Sequence, residues 1–88
     1  MATSQLIDAP HLKLLVEAGA VQYLTARGIP GGFVIVVRVG LNEKTVRGQK
    51  VKAPRVFTTL DGISNYCRAA GVRRFDVDLA GYSKESLL

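Results

Sequence analysis

Eighty-eight residues make one small domain, since a chain of this length hides about 60–65% of its unfolded surface, enough for a single core, and this excludes a multidomain enzyme. Hydrophobic residues at 48% and charged residues at 22%, with nine Gly and three Pro, exclude a disordered, collagen-like or repeat chain. Twelve Lys and Arg against seven Asp and Glu leave +5, which bears on partners rather than on fold, and the single Cys excludes an intrachain disulfide.

Residues 1–8 carry neither a basic segment nor a long apolar one, so no secretory leader is expected. No apolar run reaches the ~18 residues that span a bilayer, and a cytoplasmic protein without a membrane partner is expected. Asp8 reads as an N-cap, with Ile7 and Leu12 spaced as a hydrophobic staple, and Gly19 as a left-handed stop. A first helix over 9–18 follows, burying Leu12, Leu15, Val16 and Leu14 on one stripe, with Lys13 and Glu17 sharing the surface. Alternation over 21–27 predicts a strand, and 28–32, rich in Gly with one Pro, a hairpin connection. Phe33-Val34-Ile35-Val36-Val37 is short and β-branched, so a buried strand is expected over 33–39. Its two faces are both apolar, which fits a central strand or a sheet whose second face meets another molecule.

Residues 40–54 are polar, and 44–46 and 49–51 are candidates to pair as extended arms. Arg55-Val56-Phe57 reads as the end of a strand leading into Thr58, a capping candidate with Asp61 three positions on. A second helix over 59–70 would bury Leu60, Ile63, Tyr66, Cys67 and Ala70 and stop at Gly71. Phe75, Val77 and Leu79 then alternate with polar residues in a last strand. The expected fold is α+β, one small domain in the order α-β-β-β-α-β with both helices on one face of a mixed or antiparallel sheet. The domain would span 1–80, with a basic arm at about 38–55 and a flexible tail over 81–88.

Charge is the most informative pattern. Arg38, Lys44, Arg47, Lys50, Lys52 and Arg55 face Glu43 alone, so the segment 38–55 holds the entire net charge of the chain. Such a concentration suits phosphate neutralisation by a nucleic-acid arm. It equally suits a solvated edge hairpin kept soluble by lysines, since no aromatic platform lies among the cations. Three strands with a basic tip followed by a helix also outline the DNA-binding sheets that enter the major groove, as in the arm-binding domains of phage integrases. The double-stranded RNA-binding domain shares the helix–three strands–helix order, but it begins its second helix with a lysine cluster where this chain has Thr58-Thr59-Leu60-Asp61.

Catalytic patterns are thin. His11 has no second His for a metal pair, Cys67 sits in an apolar stripe, and Asp76 with Asp78 are too few for a dedicated cation site. Gly28, Gly31 and Gly32 lack the spacing of a phosphate loop. No enzyme activity, metal or cofactor is expected.

Pro54-Arg55-Val56-Phe57-Thr58-Thr59-Leu60-Asp61, then Tyr66-Cys67-Arg68, then Gly71-Val72-Arg73-Arg74-Phe75-Asp76-Val77-Asp78 resemble the small partition-associated ParC family of broad-host-range plasmids and integrative elements, as distinct from the topoisomerase subunit of the same name. The likeness covers about residues 33–78. It implies a role in plasmid maintenance beside recombination or segregation genes, and it implies no reaction.

Two function classes follow. One is a non-catalytic accessory of plasmid or mobile-element maintenance that contacts double-stranded DNA phosphates through Arg38, Lys44, Arg47, Lys50, Lys52 and Arg55. The other is a protein-interaction adaptor or homodimer, joined to a second copy or to partition or recombination proteins through Val34 and Val36 on the helix-free sheet face. Because residues 41–53 offer only Val46 and Val51 as inner apolar anchors, the arm is expected to be mobile without a partner.

Overall fold

The computed structural model describes residues 5–84. Its order is β1 (Gln5–Ile7), α1 (Ala9–Glu17), β2 (Val21–Ile29), β3 (Gly32–Val39), β4 (Asn42–Val46), α2 (Leu60–Ala70) and β5 (Asp76–Asp78). The strands form one five-stranded mixed sheet in the spatial order β1-β4-β3-β2-β5. β1 runs parallel to β4 and β5 parallel to β2, while both neighbours of β3 are antiparallel to it. Only β3 therefore runs against the rest.

This topology explains why the helices share a face. The chain passes from β1 through α1 to β2, and from β4 through α2 to β5, each a parallel crossover moving the same way across the sheet. Right-handed crossovers in one direction put both helices on one side. There Leu12 of α1 and Ile63, Cys67 and Ala70 of α2 join Ile7, Leu24, Ala26, Ile35, Val37 and Val46 in a single core.

Local chemistry sets the helix ends. The Asp8 carboxylate accepts from the His11 backbone N–H at 3.0 Å, and Pro10 sits in the first turn, where its missing N–H costs nothing. At α2 the cap is Thr59, whose hydroxyl accepts from the Gly62 N–H at 3.0 Å, one residue beyond the expected Thr58. Gly71 closes α2 in the left-handed region at φ 88°.

The sequence pattern and the structure part company in several further places. β1 was not expected; three residues are too few to show a period, and they become a strand by lying parallel to β4. The expected pairing of 44–46 with 49–51 is absent, because β4 is already hydrogen-bonded on both sides, to β3 and to β1. Phe57 ends no strand: it makes an isolated two-bond bridge to Phe33, with N···O distances of 2.8 Å each way. Gly32 makes that approach possible, since a Cβ there would collide with the Phe57 carbonyl. The last strand is confined to Asp76–Asp78 on the sheet edge, leaving Val77 and Leu79 exposed and Phe75 half-buried; on the first helix, Leu14 also faces out.

Residues 81–84, expected to begin a tail, belong to the fold. Tyr82 stacks on Phe33 at 4.8 Å, and the Ser83 carbonyl accepts from the Gly31 N–H at 2.8 Å. Gly28 leaves room for Tyr82, whose Cβ would stand 2.6 Å from a Cβ placed there. The remainder of the expected tail, 85–88, lies outside the described residues.

Candidate nucleic-acid interface and a cationic groove

The expected basic arm divides at Val46. Its first half is sheet: β4 buries Thr45 at 6% and Val46 at 0% exposure and is bonded on both edges, so this half is an inner strand and not a loose arm. Its second half, 48–54, is a bent, mostly exposed loop closed by the pairing of Arg47 with Pro54 and by a Gly48 N–H to Ala53 carbonyl bond of 3.1 Å. The Arg55 N–H then donates to the Val46 carbonyl at 2.8 Å, bringing the chain back to the sheet.

The six cations of the arm do not share one face. Arg38 lies on the helix-free face next to Glu43, and its Nε donates to the Gly40 carbonyl at 3.0 Å. Lys44 alternates with Thr45, so it leans toward the helix side, where its Nζ donates to the side-chain carbonyl of Gln5 on the edge strand β1. Arg47 follows the far end of β4, some four residues from the level of Arg38, or about 13 Å along the strands. Its Nε donates to the Gly48 carbonyl at 3.2 Å. Lys50 and Lys52 stand on the exposed loop. Arg55 turns the other way: its guanidinium lies over the Phe57 ring at 4.5 Å and the Tyr66 ring at 5.5 Å. Such stacking fixes the orientation of a guanidinium without consuming its N–H donors.

The helix-free face differs from the loop. Strand register puts Tyr23, Thr25 and Arg27 of β2, Val34, Val36 and Arg38 of β3, Glu43 and Thr45 of β4, and Asp76 and Asp78 of β5 on it. Its charges are two positive and three negative, so it offers no field for phosphates. Val36 sits between Thr25 and Thr45 and keeps only 3% of its surface, while Val34 is half-buried. Arg27 and Glu43 meet across β3 at 3.6 Å, the one ion pair among the described residues. That bridge spans the strand that carries Val34 and Val36.

A groove, absent from the sequence reading, opens where the loop passes α1 and α2. It measures about 490 Å³ and is lined by Pro10, Lys13, Gln49, Arg55, Tyr66 and Ala69, among others. The sequence pattern places Tyr66 on the core stripe, and it does pack against the core, and Lys13 on the surface; no local signal marks either as a groove residue, because only the tertiary fold brings them to Arg55. The Tyr66 hydroxyl is closed off from solvent and has no hydrogen-bond partner among the described residues. Its pKa is raised above the usual 10.0 by burial, with Arg55 acting in the opposite sense.

Burial pushes the Cys67 thiol up to about 11, so it is protonated and inert near neutrality. Among the described residues no group of three or more His, Cys, Asp and Glu side chains gathers to hold a metal, and no helix is long and apolar enough to cross a membrane.

Fold and surface together define a small α+β domain with a cation-bearing loop on one end of its sheet. The sequence model of the ParC-like family matches residues 7–85, and the chain belongs to that family. No curated protein and no solved structure gives a significant match.

Proposed function

We propose that the protein is a non-catalytic accessory of plasmid or mobile-element maintenance that contacts the phosphates of duplex DNA through the loop after β4. The observation that carries this reading is the loop itself: Lys50 and Lys52 stand exposed on it, Arg47 sits partly buried at its base, and none of the three has a carboxylate within ion-pair distance among the described residues. Cations that no internal carboxylate neutralises are free to displace the counterions of a polyanion. Lys44 and Arg55 flank that segment, whereas Arg38 lies at the other end of β3, beside Glu43. The ParC-like family membership and the resemblance to partition-associated proteins supply the plasmid context.

Fluorescence anisotropy with a duplex at low and moderate salt tests the reading. Each phosphate contact contributes about −0.9 to the slope of log affinity against log salt. Replacing Arg47, Lys50 and Lys52 by Ala is therefore expected to flatten the slope by up to about 2.7. Absence of binding at low salt, or an unchanged slope in the triple variant, overturns it.

A further inference from the structure

The groove between the loop and the two helices combines features that a DNA backbone does not require. Its walls bring together two cations, Lys13 from α1 and Arg55 from the end of the loop, and no acidic residue lines it. Neither cation is ion-paired among the described residues. Arg55 is held in place by the Phe57 and Tyr66 rings at 4.5 and 5.5 Å, so its N–H donors are already oriented before anything binds. The floor is apolar, built from Pro10, the Tyr66 ring and small alanines of α2. At about 490 Å³ it falls within the range of sites that enclose compact ligands.

Charge complementarity calls for an anionic occupant, and the apolar floor calls for one that carries a hydrocarbon side chain beside its charge. Phosphodiester backbone has the charge and lacks the side chain. We propose that this groove binds an acidic peptide segment of a partner protein. In that complex an apolar side chain lies against Pro10 and Ala69, and a neighbouring Asp or Glu carboxylate accepts hydrogen bonds from Arg55, with Lys13 adding its charge at the rim. None of Arg47, Lys50 and Lys52, the residues proposed above to contact phosphates, lines the groove, although Gln49 of the same loop does.

The test is selection of a random twelve-residue phage-displayed peptide library on the immobilised full chain, followed by anisotropy on the synthesised winners. Enrichment of peptides pairing Asp or Glu with an apolar residue is expected. Their affinity is expected to fall about threefold in Lys13→Ala, an exposed charge. In Arg55→Lys, which keeps a cation but loses the planar donor fork, the expected fall is about tenfold. Circular dichroism confirms that both variants fold, and the Arg47, Lys50 and Lys52 triple Ala variant is expected to bind the peptides unchanged even if DNA binding is lost or was never present. No enrichment, winners without acidic residues, or affinities indifferent to Lys13 and Arg55 overturn the proposal. Displacement of the peptide by a DNA duplex with the same dependence on Lys13 and Arg55 would assign the groove to DNA and overturn it as well.

Discussion

β4 and the loop that follows it are adjacent in sequence, similar in their mix of Lys, Val and small polar residues, and opposite in fate. β4 is hydrogen-bonded along both edges and buries Val46 completely; the loop over 48–54 turns outward and leaves Val51 59% exposed. The difference lies in what the rest of the chain offers. β4 has β3 on one side through a tight hairpin and β1 on the other, whereas the loop is closed by its own Arg47–Pro54 bridge and Gly48–Ala53 bond. A basic segment is thus a single feature in the sequence and two in space: a structural strand, and a loop whose cations are free for a partner.

The largest expected effect breaks or upholds that division directly. Val46→Ala should cost about 2 kcal/mol of stability by leaving a cavity in the core, and Val51→Ala should change stability by less than about 0.5 kcal/mol. Urea denaturation of the two variants measures this, and equal effects would dissolve the distinction.

The core beneath β4 should also show itself in alkaline solution. Cys67 holds its proton in the folded protein to about 11, against an ordinary value of 9.0. The folded state binds more protons than the unfolded state between these values, so stability is intact below pH 9 and falls above it. The slope should reach up to about 1.4 kcal/mol per pH unit. Denaturation series at pH 8, 9 and 10 should reveal the decline, and Cys67→Ala, less stable at every pH, should lose most of it.

Where the loop rejoins the fold, the unpartnered Tyr66 hydroxyl is a buried polar group with no return. Tyr66→Phe should stabilise the protein by about 1 kcal/mol in thermal or chemical denaturation; a loss of stability would mean that the hydroxyl is bonded after all. On the helix-free face the Arg27–Glu43 bridge is partly exposed, and Glu43→Gln should cost only about 0.2–1 kcal/mol, an effect that shrinks in high salt.

Much of the scaffold is legible in the sequence because it is fixed locally. Asp8 and Gly71 mark helix ends through hydrogen bonds and a backbone angle that their own residue types supply, and Phe33 to Val39 declares a buried strand by β-branching. β1 is illegible because Gln5, Leu6 and Ile7 become a strand only beside Lys44, Thr45 and Val46. The depth of β4 is hidden for the same reason: its two buried side chains, Thr45 and Val46, lie on opposite faces of a strand flanked by β1 and β3, a placement that neighbours in sequence do not show. For the site, charge counting finds the loop cations. It cannot show that Arg38 sits beside Glu43, that Arg55 turns onto two rings, or that Lys13 of α1 joins it.

The most direct test of the divided arm is a titration of the isotopically labelled protein with a short DNA duplex, followed by backbone amide chemical shifts. The amides of residues 47–53 are expected to move progressively and lose intensity first, while those of Asn42 to Val46 and of Arg38 stay near their free positions. Largest shifts along β4 or at Arg38, or no shifts in the loop at low salt, would contradict the account.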